Sequence, residues 1–120
     1  MNQTSDFTAH LTSSLRPGFK PGFLQRDFTV FQFRFDRQAP FHLTVTENSF
    51  EFHSGKHEEP TLTLWIDNWE TCEQLLRGEE NGMNAFMEGR YRADGHIVLS
   101  QLLLYLFKTT DTPSIYEVQD

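Results

Sequence analysis

The chain has 120 residues, enough for one domain that buries its own core without disulfides or a structural metal, and too few for two. Ten Lys and Arg against 17 Asp and Glu leave a net charge of -7, which repels the phosphate backbone that dominates nucleic-acid affinity and sets nucleic acid aside as a partner. Phenylalanine accounts for 12 residues against 3 Tyr and 2 Trp, so most of the aromatic area has no polar tip and calls for a dry interior.

At the N-terminal end, Phe7, Leu11 and Leu15 recur four apart, which predicts a short helix over residues 5–15. No secretory leader is evident there, and a cytoplasmic protein is expected. Two Pro-Gly-Phe steps, at Pro17-Gly18-Phe19 and Pro21-Gly22-Phe23, mark a loop. Residues 28–35 then alternate, with Phe31, Phe33 and Phe35 on one face and Gln32 and Arg34 on the other, the pattern of a half-buried strand.

Two further alternating runs flank Glu47-Asn48. Phe41, Leu43 and Val45 alternate with His42 and Thr44, and Phe50 and Phe52 alternate with Glu51 and His53. A two-residue loop at Glu47-Asn48 pairs Val45 with Phe50, Leu43 with Phe52 and His42 with His53, which puts every apolar pair on one face. After turn signals at Gly55 and Pro60, Leu62, Leu64 and Ile66 form a fourth strand, read as continuing the meander.

Asp67 followed by Glu70 resembles a capping box, opening a helix whose apolar stripe is Trp69, Cys72, Leu75 and Leu76 and whose end is Gly78. Cys72 is the only cysteine, which excludes an internal disulfide, and its place on that stripe reads as buried apolar. Residues 82–89 predict a helical turn carrying Met83, Phe86 and Met87, and residues 90–93 a brief strand ended by Asp94-Gly95. Residues 97–107 are interrupted only by Ser100, Gln101 and Tyr105, a helix apolar over more than one stripe that needs cover on several sides, yet too short to cross a bilayer. The expected organisation is one domain: an N-terminal helix and loop over residues 1–27, a core over 28–108, and a polar, loosely held tail over 109–120.

This order of elements resembles the sterol carrier protein type 2 domain family. The resemblance covers residues 28–107 and rests on Pro60-Thr61-Leu62-Thr63-Leu64, on Trp69 with Leu75-Leu76-Arg77-Gly78, and on Ala85-Phe86-Met87-Glu88-Gly89-Arg90-Tyr91-Arg92 leading into the last helix. It implies an α+β fold: a twisted, largely antiparallel sheet of about five strands, helices packed on one face, and an apolar cavity between them that accepts fatty acids, acyl-CoA, sterols or other lipids. Mapped onto this chain, Phe31, Phe33, Phe35, Leu43, Val45, Phe50, Phe52, Leu62 and Leu64 would floor the cavity, and Phe86, Leu99, Leu102, Leu103 and Leu106 would roof it. The competing account is that these side chains simply pack together. Binding is energetically accessible, since removing about 300 Å² of lipid surface from water is worth roughly 7 kcal/mol before ordering costs.

The implied function is non-catalytic binding or transfer of an apolar or amphipathic small molecule, without a cofactor. The alternative is a protein-interaction or dimerisation module that uses the apolar C-terminal helix. Arg16, Lys20 and Arg26 around Phe19 and Phe23 are compatible with transient membrane contact, although a loop folded back on the sheet fits the same residues. His42, His53 and His57 with Glu51 read as polar residues of a solvated face and not as a metal site. Glu58-Glu59 and Glu79-Glu80 are solvated pairs, no nucleophile elbow or phosphate-cradling glycine pattern occurs, and no general acid, base or nucleophile is assigned.

Overall fold

The computed structural model describes residues 3–108; the polar tail expected over 109–120 lies outside the described residues. Helix α1 (Gln3–Leu15) and a single 3-10 turn lead into strands β1 (Phe28–Arg34), β2 (Phe41–Thr46), β3 (Phe50–Ser54) and β4 (Leu62–Ile66). Helices α2 (Trp69–Arg77) and α3 (Gly82–Met87), strand β5 (Tyr91–Asp94) and helix α4 (Ile97–Leu106) complete the order. The fold is α+β, with one five-stranded sheet ordered β3-β2-β1-β4-β5. Pairings β1–β2, β2–β3 and β4–β5 are antiparallel and β1–β4 is parallel.

The hairpin register follows from the side-chain alternation: His42 faces His53, Leu43 faces Phe52 and Val45 faces Phe50. Thr46 and Ser49 close the two-residue loop through a 2.8 Å backbone bond. The fourth strand departs from a meander. It returns past β2 to lie beside β1, so residues 55–61 must cross the sheet. They do so on the face away from the helices, where the His57 amide donates to Gln32 Oε1 at 2.9 Å and Thr61 exchanges bonds with the Val30 backbone. This strap buries Val30 and Gln32, outward-facing positions that alternation assigns to solvent.

The opposite face of the sheet carries the core. Phe31, Phe33, Phe41, Leu43 and Leu64 have no exposed surface and pack in one cluster with Leu11 of α1, Leu75 and Leu76 of α2, and Leu99, Leu103 and Leu106 of α4. Aromatic rings fill the β2–β3 side. Phe107, at the end of α4, lies 4.8 Å from Phe50, while Phe7 stacks on Trp69 at 4.8 Å and an interplanar angle of 6°. Edge strand β3 is protected by α1, because Thr12 Oγ1 accepts the Phe52 amide at 3.0 Å.

Helix ends are set by local hydrogen bonds. Asn68, not Asp67, caps α2 by accepting the Thr71 amide at 2.8 Å, while the Asp67 amide donates to the Arg90 carbonyl at 3.0 Å as β4 and β5 part. Gly78 ends α2 in the left-handed region at φ 80°, which glycine adopts without a Cβ clash. His96 caps α4 through Nδ1 and the Leu99 amide. At the other end, Lys20 donates to the Tyr105 and Lys108 carbonyls at 2.8 and 2.6 Å, pinning the Pro-Gly-Phe loop to the negative end of α4.

Candidate functional site

The fourteen side chains expected to line a cavity fall into two environments. Phe31, Phe33, Leu43, Val45, Phe50, Phe52, Leu62, Leu64, Leu99, Leu103 and Leu106 are buried in the contiguous core, and Phe35 and Leu102 pack against it. Phe86 alone among them stands on the wall of an open groove, 55% exposed. Between the sheet and α4 these side chains pack on one another, and an apolar groove lies at the β5 side of the molecule.

That groove runs between α3, β5 and α4 and has an apolar compartment of about 260 Å³. Met83 and Phe86 come from one face of α3, Tyr91 and Ala93 from the inward face of β5, and Ile97, Ser100, Gln101 and Leu104 from one side of α4. The local reasons are simple. Met83 and Phe86 are three apart on a helix, Tyr91 and Ala93 two apart on a strand, and Ile97, Gln101 and Leu104 three and four apart on a helix. Gly82 makes the close approach possible: a Cβ there would sit 2.5 Å from Leu104 Cδ1.

Gly82, Met83, Gln101 and Leu104 also border a neighbouring, wider vestibule of about 600 Å³. The vestibule is bordered by Leu75 and Gly78 at the end of α2, by Glu79, Glu80 and Asn81 in the following turn, and by Tyr105 and Lys108 at the end of α4. Glu80 and Glu88 both hold Arg90, each at 2.7 Å. Burial raises the Tyr91 phenol above its usual range, opposed by its hydrogen bond with Ser100, so this ring stays neutral and hydrogen-bonding. Ser100 Oγ donates to the Ile97 carbonyl at 2.7 Å, and no histidine borders either compartment.

Met83, Tyr91, Ala93, Ile97, Ser100, Gln101 and Leu104 are not among the lining residues expected from the sequence. The available signal was spacing: Ile97, Gln101 and Leu104 form a second stripe on α4 beside Leu99, Leu103 and Leu106. Both stripes are largely apolar, so hydropathy does not tell which one faces the core. The expectation that α4 needs cover on several sides fails at its first turn, where Ile97 and Val98 are 56% and 58% exposed.

Elsewhere, Phe19 and Phe23 fold back against the core, and Phe19 packs on Phe50 at 4.8 Å. Arg92 lies over the Trp65 ring at 5.3 Å. His42, His53 and His57 do meet, with ring centroids 5.0 and 5.2 Å from His42. Among the described residues, no group of three or more His, Cys, Asp or Glu is placed to hold a metal ion, and no helix is long and apolar enough to cross a membrane. Cys72 is fully buried, and burial followed by the Glu73 charge pushes its thiol far up, away from thiolate reactivity.

The chain belongs to the SCP-2 sterol transfer family, whose model matches residues 24–108. Lipid binding or transfer is that family's class of function. Among solved structures, the fold is similar to that of a ubiquinone synthesis protein, UbiJ-SCP2, with TM-score 0.67 and 15% identity over 88% of this chain and 92% of that one. It is also similar to sterol carrier protein domain 2 of Helicoverpa armigera, with TM-score 0.59 and 17% identity over 86% and 87% of the two chains. A third similarity is to the sec-alkylsulfatase Pisa1 from Pseudomonas sp., with TM-score 0.68 and 13% identity; it covers 83% of this chain and 16% of the sulfatase. A search of curated protein sequences found no match.

Proposed function

We propose that the protein binds or carries an apolar or amphipathic lipid in the groove between α3, β5 and α4, and performs no chemistry on it. The observation that carries this reading is the groove itself: an apolar compartment of about 260 Å³ that is open to solvent in a member of a lipid-carrying family. Exposed Met83 and Phe86 form walls that lose water when a hydrocarbon chain enters, which is the driving force for binding. The two hydroxyls of the compartment, Ser100 and Tyr91, bond to each other and have no carboxylate or imidazole among the lining residues, which supports carriage over catalysis. Leu64, the cross-strand partner of Ala93, begins the buried floor behind the groove; the deeper Phe31, Leu99 and Leu103 set would be reached by a longer chain that displaces α4.

The test is titration of delipidated protein with a fluorescent fatty-alcohol analogue, compared with Met83→Lys. Met83 is 61% exposed, so the variant should keep its circular dichroism and melting temperature while losing tenfold or more in affinity. Unchanged affinity in the folded variant would remove the groove from consideration and return attention to the sheet–α4 interior.

A second reading is favoured by Met87, Ile97 and Val98, which stand 77%, 56% and 58% exposed beside the groove. This apolar rim fits transient contact with a membrane or a second copy of the chain better than the Phe19–Phe23 loop does, since those rings are half-buried. Vesicle co-sedimentation lost on Val98→Asp, or a concentration-dependent dimer lost on the same change, identifies which surface the rim meets.

A further inference from the structure

The two edges of the sheet end differently. At β3, Thr12 of α1 accepts the outward Phe52 amide. No such partner covers β5 among the described residues. The Asp67 amide donates to the Arg90 carbonyl, and the strands continue in register through Trp65–Arg92 and Thr63–Asp94, so Arg92 and Asp94 turn their backbone groups towards β4. Alternation then turns the N–H and C=O groups of Tyr91 and Ala93 away from the sheet, where no backbone or side-chain partner meets them among the described residues. The strand holds no proline to blunt it. Its two charged side chains, Arg92 and Asp94, are exposed on the face away from the helices and form no ion pair among the described residues.

We infer that a second copy of the chain pairs at this edge, β5 antiparallel to β5 about a twofold axis at Ala93, joining the two five-stranded sheets into one. Charge selects both the occupant and the register. A pairing centred on Arg92 or on Asp94 sets that side chain against its own copy, and one centred on Tyr91 sets Arg92 opposite Arg90, whose carboxylate partners are already Glu80 and Glu88. Centred on Ala93, the pairing sets Arg92 opposite Asp94 of the second copy and Asp94 opposite Arg92 of the second copy. These fall in the non-hydrogen-bonded positions, where facing side chains come closest. The outward groups of Ala93 then bond to those of its copy. An antiparallel copy thus supplies the complement to both charges by symmetry, which an unrelated extended segment does not. The twofold axis stands normal to the sheet, so both sets of helices share one face and the two grooves flank the seam. Pairing at this edge does not depend on what the grooves hold.

Sedimentation velocity of the full chain over roughly a hundredfold range of concentration reads the association, and amide hydrogen exchange reads the edge. The wild-type protein should pass from monomer to dimer, with exchange of the Ala93 amide slowed about tenfold or more at the high end. Arg92→Glu and Asp94→Arg, each at an exposed position, should each weaken the dimer about tenfold or more, because each sets like charges across the seam. Combining Arg92→Glu with Asp94→Arg should restore it, since the exchanged charges again oppose. A wild-type protein that stays monomeric throughout overturns the inference, as does a dimer that both single variants leave intact, or a folded double variant that fails to recover. A dimer lost on Val98→Asp but kept on Arg92→Glu assigns association to the apolar rim and overturns the edge pairing likewise. None of these readouts involves a ligand, so the groove is tested separately by Met83→Lys.

Discussion

His42 shows how a surface position acquires a constrained environment. It sits on β2 facing His53, with His57 brought over it by the strap and Gly55 accepting from its Nδ1 at 2.9 Å. Burial lowers the His42 imidazole below its ordinary value, opposed by the Gly55 bond and assisted by the charges of His53 and His57. The unfolded chain therefore takes up the proton more readily, and stability is full above the unfolded imidazole range and falls as pH drops through about 6.5 towards the folded value. Glu51 on β3 lies 3.9 Å from His53. Urea midpoints at pH 8 and pH 5.5 should differ in the wild-type protein and differ less in His42→Gln. Glu73 acts in the same direction at lower pH: burial raises its carboxyl, but bonds to Arg77 and His10 outweigh this and lower it, so its contribution is lost as pH falls below the ordinary carboxylate range.

At the scale of elements, each helix is held by its ends as well as by its apolar face. Asn68→Ala should cost about 1 kcal/mol in urea unfolding by freeing the Thr71 amide, and Asp67→Ala should not reproduce that loss of cap. Thr12→Val removes the hydroxyl that receives the Phe52 amide on the β3 edge and should cost a similar ~1 kcal/mol, with faster exchange of that amide as the specific signature. Helix α4 divides its two stripes between separate tasks. Leu99, Leu103 and Leu106 are buried, whereas Ile97, Gln101 and Leu104 border the groove. Leu103→Ala should cost about 2–5 kcal/mol by opening a cavity in the core, and its effect on ligand affinity should be small beside that of Met83→Lys.

For the molecule as a whole, the sheet acts as a wall with a different job on each face and at each edge. The strap covers the β1 part of one face, α1 closes the β3 edge, and the helices bury the other face. The β5 edge and its neighbours α3 and α4 are left to form the groove, with exposed Met83, Phe86, Ile97 and Val98 around its mouth. A ligand bound there adds its free energy to the folded state alone, so a saturating fatty-alcohol analogue should raise the melting temperature of the wild-type protein and leave that of Met83→Lys nearly unchanged.

Alternation and helical spacing in the sequence determined the elements and their burial faces, including the Leu43–Phe52 and Val45–Phe50 register, because a one-residue slip would turn every apolar side chain of the hairpin to solvent. The motifs around Trp69, Leu75-Leu76-Arg77-Gly78 and Phe86 determined the family. What needed the tertiary structure was partnership between distant segments: β4 beside β1, the strap over Gln32, the cap at Asn68, and the choice between the two stripes of α4. Hydrophobicity states that a side chain should leave water but not what it will touch. The packing of Phe50 on Phe107 and the close approach of Gly82 to Leu104 depend on segments far apart in the chain, which alternation and spacing do not pair.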